Sequence, residues 1–293
     1  MREALAFPGQ GVDPVATVAV LEREPDHPLV ALARELAAPH VDGAALTPRL
    51  LADTRVAQPC VVAAGLVAAE GHDLGPVVVG HSLGEITACA AAGVLAGGDA
   101  VRLVALRAEI GIRATAGRPG MMVAVMRLDH DAIEWIRRLA VGRTGGLLDV
   151  AVVNSERQVV LTGDEEAARA AIDLAFEAGG KARRLGIGGA FHSPLLAPAI
   201  EEFEAAVVAA APQRPAVPVV CSTGPVLTEA AEVAPALAAS LVRPVDWPRA
   251  VARAVALGAE GVVDAGPGET LRNLSEHFVS PPTRALVPAG GDG

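Results

Sequence analysis

One stretch constrains the fold more than any other. Pro76-Val77-Val78-Val79-Gly80 runs straight into His81-Ser82-Leu83-Gly84-Glu85, and an Ala-rich segment follows. An unbroken β-branched run suits a strand buried on both faces, as in a parallel sheet covered by helices. Residues 86–95 read as the helix that follows the turn, and residues 99–116 as a second helix. Strand, sharp turn and helix in that order point to an α/β fold. The chain has 293 residues, room for one large or two modest domains, and 52% of them are hydrophobic. Aromatic residues make up only 2%, so Ala, Val and Leu must build the core.

The rest of the chain divides around this unit. Residues 4–7 read as a strand that stops at Pro8-Gly9, and residues 29–38 and 57–69 as helices. Gly117-Arg118-Pro119-Gly120 is a turn signal and marks a boundary. Beyond it come a strand at 121–126, a helix at 129–139, strands at 148–153 and 158–161, a helix at 164–177 and a strand at 182–185. That β-α-β-β-α-β order is the ferredoxin-like split unit, here an insertion spanning residues 120–188. The flanking parts, 1–119 and 189–293, form one discontinuous α/β domain. Its second part reads as a helix at 195–210, a strand at 217–221, helices at 234–242 and 247–257, a strand at 261–263 and a last helix at 269–278. The Pro- and Gly-rich tail from Pro281 is expected to fray.

Charge and composition exclude several classes. Lys and Arg number 24 against 34 Asp and Glu, a net charge of −10. The chain lacks the basic excess that phosphate neutralisation needs, and five Phe, two Trp and no Tyr offer few platforms for stacking bases. Cys60, Cys89 and Cys221 are odd in number and widely spaced, with no CxxC or Cys/His cluster, so neither a disulfide framework nor a metal site is expected. The opening residues carry an acid at position three and no signal-peptide core. The apolar stretches at 56–69 and 86–98 are too short to span a bilayer. A soluble cytoplasmic protein is the expectation.

Gly80-His81-Ser82-Leu83-Gly84 fits G-x-S-x-G between a strand and a helix, the context that motif requires. Small residues on either side of Ser82 permit a strained turn that lifts the hydroxyl clear of the sheet. The helix start places backbone N–H groups where negative charge develops. A Gly-containing loop with a capping Ser would read similarly. The hydroxyl needs a base. Of seven histidines, His27, His40, His72, His130 and His277 sit in polar or Pro-rich settings, and His81 adjoins Ser82, where neighbours on a sharp turn point apart. His192 lies in Gly188-Gly189-Ala190-Phe191-His192-Ser193-Pro194, at the re-entry from the insert, where loops often carry function. A loop histidine of this kind is also often an ordinary surface residue.

Several motifs now fall in one order: Phe7-Pro8-Gly9-Gln10-Gly11, Gly80-His81-Ser82-Leu83-Gly84-Glu85, Arg107 in Leu103-Val104-Ala105-Leu106-Arg107, Asn154-Ser155 with Gln158-Val159-Val160, Ala190-Phe191-His192-Ser193, and Gly266-Pro267-Gly268. Together they resemble the malonyl-CoA:acyl carrier protein transacylase family, including the acyltransferase domains of polyketide synthases, over nearly the whole chain. The resemblance implies an α/β-hydrolase-like large domain with a ferredoxin-like insert. It implies Ser82 as acylated nucleophile, His192 as base and acid, and Gln10 with the Leu83 N–H as oxyanion hole. Gln58 matches a further active-site glutamine and Asn154 a pocket-side position; both would also suit local turn bonding. Arg107, 25 residues after Ser82, matches the arginine that binds the free carboxylate of the acyl group; a planar guanidinium takes a carboxylate bidentately. A solvent-facing helix arginine is the alternative. Phe191 resembles the malonyl-selective signature and would narrow the pocket against an α-methyl group, a discrimination of about 1–3 kcal/mol.

The chain departs from the family in places. Val12-Asp13-Pro14-Val15 follows the first motif instead of the usual continuation, and Ala108-Glu109-Ile110-Gly111 stands where Gly-x-x-Met is common. Ser240 aligns with the residue whose backbone carbonyl holds the histidine. No catalytic acid is assigned: Asp149 and Asp164 fall in the insert, and Glu85 suits a first helical turn for dipole reasons alone. Lys181, Arg183 and Arg184 form a basic group that would suit an acidic carrier protein or coenzyme A phosphates, or simply a solvated strand end.

The expected function is malonyl transfer from coenzyme A to the phosphopantetheine thiol of an acyl carrier protein by a ping-pong route. The partners are the acyl-CoA and the carrier protein, without nucleic acid or membrane, and the protein is expected to be a monomer. No cofactor is expected, since the pantetheine belongs to the substrates. The alternatives are a carrier-to-carrier transferase, an editing thioester hydrolase and a non-catalytic docking scaffold.

Overall fold

The computed structural model describes residues 2–275 and 283–285. In chain order, β1 (Glu3–Phe7) leads to α1 (Pro14–Arg23), α2 (Pro28–Ala37) and α3 (Thr54–Ala69), and β2 (Val78–Gly80) to α4 (Gly84–Ala91) and α5 (Gly97–Ala114). A second group follows: β3 (Gly120–Met126), α6 (His130–Thr144), β4 (Leu148–Ser155), β5 (Gln158–Asp164), α7 (Glu165–Glu177) and β6 (Lys181–Arg184). The chain then forms α8 (Ile200–Ala209), β7 (Val219–Cys221), β8 (Val226–Leu227), α9 (Val233–Ala239), β9 (Val245–Asp246), α10 (Trp247–Ala256), β10 (Gly261–Asp264), α11 (Thr270–Ser275) and β11 (Thr283–Ala285).

The first sheet runs β11-β10-β1-β2-β7-β8, parallel throughout except for the β7/β8 pair. Helices bury both of its faces. Leu5, Phe7 and Val78 join one core, while Ala4, Ala6, Val77 and Val79 pack with Trp247, Val251 and Leu271 in another. The carboxyl ends of β1, β2, β7 and β10 all point to one rim, which is where open α/β sheets bind their ligands.

The second sheet has β6-β3-β5-β4 antiparallel, the ferredoxin-like order expected of its connectivity. A fifth strand was not anticipated. β9, from the far end of the chain, pairs parallel to β4 (Val152↔Val245, Val153↔Asp246) and covers its edge. Residues alternate across this sheet. Met121, Val123 and Val125 pack under α6 and α7, while Met122, Ala124, Val152 and Val160 face the main core. Both faces of β3 and β5 are buried, which is why these strands read as apolar runs, whereas the edge strand β6 is largely exposed.

Other elements differ from expectation for local reasons. α1 was not foreseen, although Asp13 caps it by accepting from the Val15 and Ala16 N–H groups and Pro14 opens it. α3 starts before residue 57 because Asp53 caps it, accepting from the Arg55 N–H. The single helix expected at 195–210 is a 3-10 turn, Pro194–Ala199, followed by α8; Pro198 has no N–H to continue an α-helical ladder. The tail expected to fray holds β11, paired to β10. Residues 276–278 of the expected last helix lie outside the described residues. Among the described residues no helix is long and apolar enough to cross a membrane, and no cluster of His, Cys, Asp and Glu could hold a metal ion.

Candidate active site

Ser82 sits between β2 and α4 at φ +54°, a left-handed conformation that is strained for a residue with a Cβ. Close approach fixes the turn. A Cβ at Gly80 would lie 2.3 Å from the Glu85 Cα, and one at Gly84 only 1.9 Å from the Phe7 carbonyl oxygen. The Ser82 N–H donates to the Ser222 hydroxyl oxygen at 3.1 Å. Ser222 in turn donates to Glu85 at 2.9 Å, and Thr223 adds its N–H at 2.8 Å and its hydroxyl at 3.0 Å. Glu85 is thus more than a dipole partner. It is fully buried, and its carboxylate anchors the serine turn to the end of β7. Burial pushes that carboxyl up to about 7, with the hydrogen bonds opposing.

His192 also holds a positive φ, +58°. The Ser82 hydroxyl lies 2.6 Å from its Nε2, and its Nδ1 lies 2.9 Å from the Arg243 carbonyl oxygen. A carbonyl only accepts, so Nδ1 carries the proton and Nε2 presents its lone pair to the serine. The direct hydrogen bond comes from the Arg243 carbonyl, at the start of the segment that becomes β9, and the expected Ser240 backbone also acts on the ring, both favouring its charged form. Burial first, then the charge of Arg107, pull the imidazole down to about 3. Among the described residues no carboxylate orients the ring.

Arg107 is buried on α5, not solvent-facing, and its Nη2 lies 3.5 Å from the Ser82 Oγ. Its guanidinium carbon sits 4.4 Å from the centre of the Phe191 ring. Among the described residues it has no carboxylate partner; Glu85 acts on it only through the field. Burial lowers it to about 10, leaving it charged at neutral pH. Phe191 therefore serves as a floor for the guanidinium as well as a wall of the cavity.

Gln10 and Gln58 meet, but away from the hydroxyl. Gln10 Nε2 donates to the Thr54 Oγ1 at 3.1 Å, and Gln58 Nε2 donates to the Gln10 Oε1 at 3.2 Å. The Gln10 side chain is thereby committed to its neighbours, and what its loop offers the cavity is the backbone N–H. The N–H groups of Gln10 and Leu83 make no hydrogen bond among the described residues. Thr54, which the sequence did not single out, accepts from the Gly188 N–H at 2.8 Å. It ties the first loop, α3 and the loop leading to His192 into one network. No sequence signal marks a threonine for such a role.

Asn154, on β4, accepts from the His81 Nε2 at 3.1 Å. His81 is thus engaged with Asn154, yet it belongs to the site: its ring packs edge-on against Trp247 and lines the same cavity as Ser82. That cavity lies between the two sheets, with Met122, Ala124 and Val160 along one side and Gly9, Ser82 and Arg107 along the other. Arg183 reaches its rim, Arg184 lies 3.9 Å from Glu165, and Lys181 is exposed. His27 caps α2 and bonds Glu70, His40 lies 3.3 Å from Glu109, and His130 bonds the Ser155 carbonyl. Asp164 is held by Arg118. His277 lies outside the described residues.

The acyl transferase domain family matches residues 20–284. A malonyl CoA-acyl carrier protein transacylase of Salmonella typhimurium is 31% identical over 297 residues, covering 97% of this chain and 95% of that one. The Bacillus subtilis protein of the same name is 34% identical over 197 residues, 67% of this chain and 62% of its own length. The crystal structure of the malonyl-CoA:acyl carrier protein transacylase of Xanthomonas oryzae superposes with a TM-score of 0.87 at 29% identity, covering 98% of this chain and 95% of that one. A serine on a strained turn with its histidine, matched by kinship along almost the entire length, means that the chain belongs to the malonyl-CoA:acyl carrier protein transacylase family of acyl transferase domains.

Proposed function

We propose that this protein moves a malonyl group from coenzyme A to the phosphopantetheine thiol of an acyl carrier protein through an acyl-serine at Ser82. The observation that carries this reading is one arrangement of three side chains. The Ser82 hydroxyl meets the His192 Nε2 at 2.6 Å, and a buried guanidinium with no carboxylate partner among the described residues stands 3.5 Å from the same oxygen. In a malonyl ester the carboxylate carbon lies about 3–4 Å from the ester oxygen. Arg107 stands at the right depth for a short acyl group with a terminal carboxylate.

Ser82 attacks the thioester carbonyl as its proton passes to His192 Nε2. The imidazolium that forms is held by its Nδ1–H on the Arg243 carbonyl. The Gln10 and Leu83 N–H groups receive the oxyanion, and Arg107 holds the distal carboxylate bidentately. The C–S bond breaks, and the coenzyme A sulfur leaves with the proton from His192. The carrier thiol then gives its proton to His192 and attacks the acyl ester, and Ser82 takes the proton back. Nucleophile, base and oxyanion donors all come from the chain, so the chemistry needs no metal or resident cofactor. Gln58 and Asn154 support the loops that carry these groups. We also infer that residues 1–119 with 189–293 act as the catalytic unit and 120–188 as the inserted unit, since β3 to β6 build a sheet of their own that β9 alone joins from outside. A cytoplasmic setting follows from the coenzyme A substrate.

The test is intact-protein mass spectrometry after incubation with a mixture of acetyl-, malonyl- and methylmalonyl-CoA, with Ser82→Ala alongside. A long-lived malonyl adduct absent from the variant is the expected result. Steady release of free acid without an adduct would indicate an editing hydrolase instead. Neither adduct nor turnover would leave only the scaffold or carrier-to-carrier readings.

A further inference from the structure

Gly111 lies inside α5, one helical turn beyond Arg107 and on the same face. Nothing in its backbone requires glycine, and glycine in a helix interior is unfavourable relative to alanine. Space gives the reason. A Cβ at Gly111 would lie 2.3 Å from the Phe191 Cζ, 2.9 Å from Cε1 and 3.0 Å from Cε2. The edge of the ring has sunk into the notch that a missing side chain leaves. The loop before it approaches equally closely: a Cβ at Gly189, which has φ +97°, would lie 2.9 Å from the Gly111 carbonyl oxygen. The ring then passes beneath the Arg107 guanidinium at 4.4 Å, and both side chains are buried.

Arg107 needs such a support. Among the described residues its only side-chain hydrogen bond is the long one to Ser82, so few contacts fix the plane of its guanidinium. We propose that Gly111 is a positioning residue for recognition of the acyl carboxylate: it seats Phe191 under Arg107, and the seated ring holds the guanidinium in place to receive the substrate. This rests on the malonyl reading of Arg107 and extends it to a residue that touches no substrate.

The experiment is a double-mutant cycle with Gly111→Ala and Phe191→Ala, read three ways. The first reading is kcat/KM for malonyl-CoA and for acetyl-CoA, which lacks the carboxylate. The second is the labelling rate with a small serine-reactive fluorophosphonate, which uses Ser82, His192 and the oxyanion donors but carries no carboxylate for Arg107 to hold. The third is the thermal unfolding midpoint. The Cβ of alanine forces the ring to move by about 1 Å, and a misplacement of that size can lower the rate on the order of 100-fold. Gly111→Ala is therefore expected to lower kcat/KM for malonyl-CoA by roughly 10–100-fold, with acetyl transfer and phosphonate labelling little changed. In the Phe191→Ala background the same change should cost no further activity. There it should raise the unfolding midpoint, because only helix propensity remains.

Equal losses for malonyl-CoA, acetyl-CoA and the phosphonate would overturn the proposal, since Gly111 would then serve the loop that carries His192. Additive losses in the cycle, or no loss at all, would overturn it too. A wild type that takes acetyl and malonyl groups equally would sink the reading of Arg107 and the selectivity claimed here with it. The thermal arm involves no substrate and separately tests whether Gly111 seats the ring: an unchanged effect of Gly111→Ala with and without Phe191 would reject that contact.

Discussion

Ser82 and His192 both stand at positive φ, and each is tied to a residue far along the chain, the Ser82 N–H to the Ser222 hydroxyl and the His192 Nδ1 to the Arg243 carbonyl. Strain of this kind persists only where the surroundings over-determine it. Replacing the nucleophile by Ser82→Ala should abolish the acyl adduct and lower turnover on the order of 10⁴-fold or more, measured by carrier-protein acylation. His192 is kept neutral by burial, with a folded value of about 3 against an ordinary 6.5. The free base therefore survives well below pH 6, and the acid limb of kcat/KM should lie far under that of an exposed histidine. A limb near 6.5 in the pH profile would contradict this. The orienting contact comes from the Arg243 backbone, so Arg243→Ala should leave phosphonate labelling within about 3-fold of the wild type, as loss of a side chain removes no carbonyl. Arg107→Ala should lower malonyl transfer roughly 10²–10³-fold, the scale of removing one partner of a buried charge pair, while acetyl transfer changes far less.

Among the secondary-structure elements, the joint between α4 and β7 carries the most consequence. Glu85 opens α4 and receives three hydrogen bonds from Ser222 and Thr223 at the end of β7. Through Ser222 it also fixes the Ser82 N–H. Glu85→Ala would leave these donors without an acceptor in a dry site and should destabilise the fold by about 2–4 kcal/mol, measured by urea unfolding. The pH dependence has a definite sign. The folded carboxyl is raised to about 7 from 4.5, so the folded chain binds the extra proton between those values. Its contribution to stability is fully present below pH 4.5 and is lost as pH rises through about 7. Glu85→Gln, which cannot titrate, should show a smaller fall in stability between pH 5 and pH 8 than the wild type does.

For the molecule as a whole, the site belongs to neither sheet. One sheet supplies the serine turn and the other the opposite wall, and β9 stitches them by adding a strand from the larger unit to β4. The His81–Asn154 hydrogen bond crosses the same cleft. Asn154→Ala leaves the His81 Nε2–H buried without its acceptor and should cost about 1–3 kcal/mol. Hydrogen exchange should rise along the β4–β9 pair in that variant. The cores are sealed enough to silence the thiols. Cys60, Cys89 and Cys221 are free and buried, and burial raises all three, Cys60 to about 12. A thiol reagent should modify none of them in the native protein and all three after denaturation.

What the sequence determined is local. A β-branched run ending in Gly-His-Ser-Leu-Gly dictates a strand, a strained turn and a helix, because branched side chains favour the extended run and glycines on either side of the serine permit the sharp turn. The split β-α-β-β-α-β unit follows from apolar runs and turn residues, since both depend on neighbours a few positions apart. Ser82, His192 and Arg107 could be named from ordered motifs, though their distances could not. Tertiary structure decided the rest. The carbonyl that orients His192, the commitment of the Gln10 side chain to Thr54 and Gln58, and the anchoring role of Glu85 all join residues far apart along the chain. So does β9: two residues carry almost no strand signal, and only the open edge of β4 makes them a strand. Gly111 shows the same division. Its place in a helix was readable, but its purpose depends on an aromatic ring from a loop 80 residues further on, and packing of that kind leaves no periodic trace in the sequence.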